Sequence, residues 1–330
     1  MPKLSLPLFN THTHAAMVAF RGVAEDLPLA KWLQEYIWPM EKAQITPAFI
    51  RRESAKAIAE MKAHGTAAFC DMYFFPEETA RVAKKLKVTA VLGQTLLDFP
   101  IPDASDFATG LARAESFIKK FKNDPYITPC VSPHSIYTVG RENLIKSGRL
   151  AQKYGVLWQI HLAETEQEVK DCKKQHGVTP AEYLDQLGLL NERTLLAHCV
   201  WVSDSDIKLI AKRKASVAHC PLSNLKLGSG IAPVAKMIQS GVNVSLGTDG
   251  AASSNRLDIW EAGKFAALLQ KGINRDPTLL PANQIFKIMT TNGMRASGIK
   301  KLAGKTIHQW DQEIDRALAK DPTLAAKLYE

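Results

Sequence analysis

The chain has 330 residues, 46% of them hydrophobic and 23% charged, with a formal net charge of +9. That size suits one large α/β domain or two ordinary ones, and the composition is that of a globular protein in water. No apolar stretch approaches the roughly 20 residues of a membrane span, and the five cysteines, odd in number and never in C-x-x-C, exclude a disulfide framework.

This cysteine usage matches a reducing, cytoplasmic compartment, and the start Met1-Pro2-Lys3-Leu4-Ser5 leaves no room for a signal peptide before the first strand. The positive charge sits in helical segments such as Ala83-Lys84-Lys85-Leu86-Lys87 and Ile118-Lys119-Lys120-Phe121-Lys122. Without an Arg-rich arm or an aromatic stacking motif, it reads as solvated helix faces, so neither nucleic acid nor membrane is an expected partner.

Short apolar runs alternate with amphipathic stretches throughout, the pattern of βα units in a parallel sheet. Strands are predicted at 8–14, 66–72, 88–95, 127–132, 156–162, 194–199, 215–219 and 242–248. Helices are predicted at 47–63, 77–86, 105–122, 141–154, 165–175 with 179–187, 204–213, 231–239 and 256–271. Asp204 is placed to cap the helix that follows it, and Gly155, Gly188 and Gly241 to end helices before strands. Ser223 to Gly230 reads as a loop after the seventh strand. Eight βα pairs predict an α/β fold, a (β/α)8 TIM barrel, over residues 1–272. Residues 273–330 are predicted to form a helical extension packed on the barrel, with helices at 282–297, 305–319 and 322–329. In the second of these, Ile307, Trp310, Ile314 and Leu318 share one face, which should meet the barrel.

Ligand-type residues fall where these strands end. The first carries Asn10-Thr11-His12-Thr13-His14, and alternate strand residues share a face, so His12 and His14 can grip one ion. The fifth ends in His161 with Glu164 three residues on, the sixth in His198, the seventh in His219 and the eighth in Asp249. Such barrels draw their chemistry from the carboxyl ends of strands. Singly, each histidine is more readily a structural residue, and each aspartate a turn former; jointly, the first, fifth, sixth and eighth strands describe a metal site. Three neutral imidazoles and a carboxylate suit one divalent ion, Zn2+ first, with Fe2+ or Mn2+ as alternatives. Asp249 can both ligate and take a proton from water, Glu164 can protonate a ring nitrogen, and His198 can hold the nucleophile or polarise an intermediate. His64, His176 and His308 lie in helices or at their ends and read as structural. His219, followed by Cys220-Pro221 and Asn224, suggests loop bracing.

Together with His161-Leu162-Ala163-Glu164-Thr165, Ala197-His198-Cys199 and Gly247-Thr248-Asp249-Gly250-Ala251-Ala252-Ser253, the opening motif resembles the amidohydrolase superfamily. Within it the chain is similar to the 5-methylthioadenosine/S-adenosylhomocysteine deaminase group, near the triazine chlorohydrolases. Ser223 to Pro233, Leu29-Ala30-Lys31-Trp32-Leu33 and Trp38-Pro39-Met40-Glu41 also match that group. The resemblance implies metal ligands His12, His14, His161 and Asp249, with Glu164 as proton shuttle and His198 as the water-activating histidine. It places Glu41 at the ribose hydroxyls and His134 at the nucleoside. The implied reaction is hydrolytic deamination at C6 of an adenosine-type nucleoside: methylthioadenosine, S-adenosylhomocysteine, adenosine or another 5′-modified adenosine. A triazine chlorohydrolase, a guanine or aminofutalosine deaminase, and an inactive barrel or binding protein are the alternatives.

Three departures qualify the match. Relatives flank the barrel with a small β-sandwich, for which this chain has too few residues before Asn10; uncovered surface would favour self-association into a homo-oligomer or reduced stability. The stretch Gly93 to Ala112 lacks the arginines that S-adenosylhomocysteine users place there. Ser135-Ile136 replaces the Ala-Pro usual after the fourth-strand histidine.

Overall fold

In the computed structural model, which describes residues 6–330, the predicted strands form as β1 (Leu8–Thr13), β2 (Thr66–Tyr73), β3 (Thr89–Leu96), β4 (Ile127–Pro133), β5 (Leu157–Leu162), β6 (Thr194–His198), β7 (Ser216–His219) and β8 (Asn243–Leu246). Consecutive strands pair in parallel and the sheet order is the chain order. Nearly all strand residues are buried, because helices cover one face and the barrel interior the other.

Sequential parallel order brings β1 beside β8, and side chains close that seam. Thr11 Oγ1 donates to the Leu246 carbonyl at 2.8 Å. Asn10 bonds Thr248 twice, Nδ2 donating to Oγ1 at 2.7 Å and Oδ1 accepting the amide at 3.0 Å. The Asp249 amide then donates to the His12 carbonyl at 2.9 Å. Asn10 and Thr11 are fully buried, so these bonds satisfy groups that water cannot reach.

Local sequence explains the helices. Thr46, Asp106 and Thr165 cap Pro47–Ala63, Phe107–Phe121 and Glu166–His176 by accepting main-chain N–H groups. Thr179 with Glu182, and Ser203 with Asp206, form capping boxes at Pro180–Gln186 and Asp204–Arg213. The cap of the last is therefore Ser203; Asp204 is its first helical residue, one position from the expectation. Gly155, Gly188 and Gly241 adopt left-handed φ of 65°, 72° and 86° where helices give way to strands.

Four other expectations are corrected. Within the supposed loop after β7, Pro221–Lys226 forms a short helix started by Pro221; its polar Ser223 and Asn224 face inward and so resemble loop residues in sequence. The next helix, Val234–Gln239, begins three residues late, because Pro233 occupies its N-cap. The last barrel helix runs Ile259–Asn274, capped by Asp258, so residue 272 falls inside it. The single helix at 282–297 is two, Ala282–Ile288 and Thr291–Ser297, and the break frees the Met289 carbonyl to accept the Phe9 amide at 2.8 Å.

That contact ties the C-terminal segment to the amino-terminal ends of β1 and β8. Asn292 Nδ2 donates to the Val244 carbonyl at 2.8 Å, and a Cβ on Gly293 would lie 2.7 Å from that of Phe9. A two-stranded antiparallel pair, Lys301–Leu302 with Lys305–Thr306, precedes the helix Ile307–Lys320. Trp310 and Ile314 of that helix are buried, with Ile307 and Leu318 packed beside the core.

Inside the barrel, Gly93 of β3 faces β4 at a distance no side chain could share: a Cβ there would meet Ser132 Oγ at 1.9 Å and Cys130 Sγ at 2.8 Å. Gly93→Ala is expected to lower unfolding free energy by about 1–3 kcal/mol through overpacking, measured by urea denaturation; unchanged stability would show that the interior yields.

Candidate active site

The mouth of the barrel is built from strand ends under backbone strain. Ala163 after β5, His198 and Cys199 at the end of β6, and Asp249 after β8 have φ of 49°, 72°, 49° and 62°. Non-glycine residues held there cost about 1–3 kcal/mol each and concentrate at functional sites. His161 points inward from β5 itself, and the turns carry Glu164, His198 and Asp249 inward to meet it with His12 and His14.

Two overlapping sets of ligand atoms result, His12 with His14 and Asp249, and His12 with His161 and His198, each within 4.8 Å of one another. Asp249 Oδ1 lies 3.5 Å from His12 Nε2 and 3.3 Å from His14 Nε2. The Nε2 atoms of His161 and His14 are 3.3 Å apart. Hydrogen bonds behind the rings fix this orientation. His14 Nδ1 donates to the Met72 carbonyl at 2.6 Å, His161 Nδ1 to the His134 carbonyl at 2.7 Å, and His198 Nδ1 to Asn224 Oδ1 at 2.8 Å. Carbonyl oxygens only accept, so Nδ1 carries the hydrogen and each Nε2 turns a lone pair to the centre. His12 Nε2 is buried with no hydrogen-bond partner. A donor set of this kind fits a divalent ion.

Electrostatics separates the rings. Burial lowers His12 to about 4 and His134 to about 3, and takes His161 well below the usual imidazole range. His198 moves the other way: burial opposes the shift, but the Glu164 and Asp249 carboxylates and the Asn224 bond raise it. His198 Nε2 faces Glu164 Oε2 at 3.8 Å. Burial raises Glu164. Burial would raise Asp249 too, but the surrounding imidazoles, His12 first, hold it well below the carboxylate range. Ser223 and Ser253 donate to its Oδ2 at 2.6 and 2.8 Å, leaving Oδ1 toward His12 and His14.

The expected substrate-side residues share this mouth. A helical segment over 29–44, with a π-turn at Trp32–Ile37, lies across it and carries Glu41, which is buried. Glu41 Oε1 accepts the Tyr73 hydroxyl at 2.6 Å. Burial raises the Glu41 carboxyl to about 7. His134 lines the same cavity, its ring centroid 4.7 Å from that of His161. The remaining histidines lie elsewhere: His64 pairs with Asp258 at 3.2 Å, His176 stacks on Tyr183, and His308 bonds Gln312. His219 is buried behind the site with both ring nitrogens unpartnered. Asn224 therefore braces His198 rather than His219.

Sequence reasoning missed Tyr73, Asn224 as the partner of His198, and Glu168. Glu168 accepts the amides of Ala163 and Glu164 at 2.8 and 2.9 Å, fixing the strained turn that carries Glu164. The signal was Thr165-x-x-Glu168, which has the form of a capping box; the carboxylate here reaches past the cap to the preceding amides.

A closed parallel barrel with imidazoles and a carboxylate converging at its carboxyl end defines the class of (β/α)8 hydrolases built around a metal centre. The chain belongs to the amidohydrolase family, whose model matches residues 6–306. A 5-methylthioadenosine/S-adenosylhomocysteine deaminase of Thermodesulfovibrio yellowstonii is 50% identical over 295 residues, 89% of this chain and 67% of the relative. A 5′-deoxyadenosine deaminase of Methanothermobacter thermautotrophicus is 44% identical over 300 residues, 90% of this chain and 70% of the relative. The solved adenosine deaminase from Xanthomonas campestris, with bound zinc, superposes with a TM-score of 0.89 at 40% identity, over 92% of this chain and 69% of that one. Atrazine chlorohydrolase from Arthrobacter aurescens, at 20% identity and a TM-score of 0.83 over 92% of this chain and 72% of that one, shares the fold. No helix among the described residues is long and apolar enough to cross a membrane.

Glu168→Ala would strip two buried N–H groups of their acceptor, at about 1–3 kcal/mol each. The variant is expected to lose about 2–6 kcal/mol in urea unfolding, whereas wild-type stability would mean that the turn holds without this carboxylate.

Proposed function

We propose that the chain is a cytosolic, metal-dependent deaminase that hydrolyses the C6 amine of an adenosine-type nucleoside to release ammonia. The observation that carries this reading is the placement of buried Glu41 in one cavity with the imidazole–carboxylate cluster. A cis-diol donates two protons to a carboxylate, which accepts both; a substrate lacking ribose leaves this buried acid unused. The names of the relatives agree with it.

His12, His14, His161 and Asp249 would hold one divalent ion, zinc in the first instance, with Fe2+ or Mn2+ as alternatives. When bound, the ion supplies Lewis-acid activation of water, lowering its pKa toward about 7. The chain's own groups move the protons. Glu164, whose carboxyl burial shifts toward the protonated form, gives its proton to a purine ring nitrogen as water adds at C6. Asp249 takes a proton from that water and returns it to the departing amine, and as the C–N bond breaks the remaining C6 hydroxyl proton is given up, restoring the proton that Glu164 lost. His198, with Nδ1 committed to Asn224, turns Nε2 toward the reaction and stabilises the charge that develops. Water and nucleoside are consumed; the 6-oxo nucleoside and ammonia leave.

Loss of the purine absorbance on conversion to the 6-oxo product, coupled to ammonia release, measures the reaction. Chelator dialysis is expected to abolish it and one equivalent of zinc to restore it; turnover by metal-free protein would overturn the reading. Asp249→Asn is expected to abolish turnover, and substantial residual activity would refute its role in proton transfer.

Glu41 accepts the diol in its ionised form, and its carboxyl sits at about 7. On this limb kcat/KM therefore rises with pH through about 7. Glu41→Gln is expected to lower kcat/KM about 10- to 100-fold, the loss of a charged hydrogen bond, and to flatten that limb. An unchanged pH profile with metal retained would remove the diol contact.

A further inference from the structure

A second cavity lies at the opposite end of the barrel. It encloses about 850 Å3, a size within the range of about 300–1,000 Å3 that small-molecule sites occupy. It shares no lining residue with the cavity over the metal cluster. Its walls are the helix Arg141–Tyr154, the turn after Pro180–Gln186 and the end of Asp204–Arg213. Val156 and Arg193 place it at the amino ends of β5 and β6, one strand length, roughly 15–20 Å, from His161 and His198. The floor is apolar and packed. Trp158 of β5 is fixed by its indole N–H, which donates to Ser147 Oγ at 2.9 Å, and Leu189 and Leu190 are buried beside it. A Cβ on Gly148 would lie 2.1 Å from Leu189 Cδ2, so glycine there sets how closely helix and turn approach.

The rim is cationic. Arg141, Arg149, Arg193, Lys212, Arg213 and Lys214 line it, against one carboxylate, Glu192. Arg213 donates to both oxygens of Asp185, at 2.6 and 3.1 Å. That is the only ion pair made by any lining residue among the described residues. Three helices also end at this wall, with C-caps Gly155, Leu187 and Lys214, and each carboxyl end carries about half a negative charge. Set against these ends, Glu192 and Asp185, the six cations still leave a surplus of roughly two to three positive charges. Like charges gathered this closely repel, and a bound anion relieves the repulsion.

We propose that this cavity binds an oligophosphate group, free or carried by a nucleotide. Guanidinium forks match phosphate oxygens in pairs, and a single phosphate carries too little charge to balance the surplus. The apolar floor offers the rest of a nucleotide a surface to cover. The concave form separates the site from a nucleic-acid surface, which follows a backbone along a groove and stacks bases on accessible aromatics. Trp158, the one aromatic here, is buried. The site is independent of the deaminase reading. It gives part of the chain's net charge of +9 a use that scattered helix faces do not.

Equilibrium dialysis of the whole protein against inorganic tripolyphosphate and against cytidine 5′-triphosphate tests it. Cytosine lacks the purine amine that the barrel mouth is proposed to attack. Saturable binding of one equivalent is expected, and the double variant Arg149→Glu with Arg193→Glu is expected to weaken it about 100-fold. Both arginines are exposed, so thermal unfolding is expected to stay unchanged. Lys85→Glu with Lys122→Glu reverses two exposed lysines outside the cavity. It alters net charge equally and is expected to leave affinity within about threefold. Tighter binding of the cytidine compound supports a nucleotide as the ligand, and equal binding supports free oligophosphate. Absence of saturable binding overturns the proposal. So does binding that survives the arginine changes, as it would at the metal centre, an equal loss in the lysine variant, or tighter binding of single-stranded RNA than of either probe.

Discussion

Closure of the barrel between β1 and β8 is the constraint on which the site depends. Thr11 bonds to the Leu246 carbonyl, Asn10 bonds Thr248 through both ends of its amide, and the Asp249 amide ends on the His12 carbonyl. The last of these ties the main chain of the first histidine to that of the aspartate. His12, His14 and Asp249 converge because the seam between their strands is locked by buried polar side chains and the turn after β8 carries the carboxylate inward. The left-handed backbone at Asp249 is tolerable for the same reason: a seam and two serines over-determine the position of its carboxylate.

A second constraint follows from gathering so many ionisable groups in a dry space. Burial drives most of the imidazoles toward neutrality, which is the form that offers a lone pair. It drives carboxyls such as Glu41, Glu164 and Glu168 toward the protonated form. His198 and Asp249 run against these trends because hydrogen-bond partners and facing groups favour their charged forms. One environment thus separates groups that hold a proton from groups that offer a lone pair or a charge, an arrangement suited to acid–base chemistry near neutral pH.

Much of this was legible in the sequence. The period-two spacing of His12 and His14, and the fall of His161, His198 and Asp249 at strand ends, follow from strand geometry alone, and the structure brings all five together. Glu41 and His134, suggested by resemblance, line the same cavity. What could not be read depends on partners far apart in the chain. Tyr73 ends its strand like any aromatic, and only the packed fold reveals Glu41 beside it. Asn224 and Ser223 have the composition of a loop because they face the site from a one-turn helix. Glu168 looks like a capping-box acid, and its true partners lie before the cap. The interruption after Ile288 had no local signal, since it answers to the amide of Phe9 at the other end of the chain.

The seam also orders events during synthesis. Asn10 and Thr248 are 238 residues apart, so a nascent chain presents its first two histidines long before the strand bearing their carboxylate partner has left the ribosome. Contacts of such separation form late. The early histidines spend most of translation without the partner that completes the cluster, and the full set of ligand-type groups exists only once β8 docks on β1.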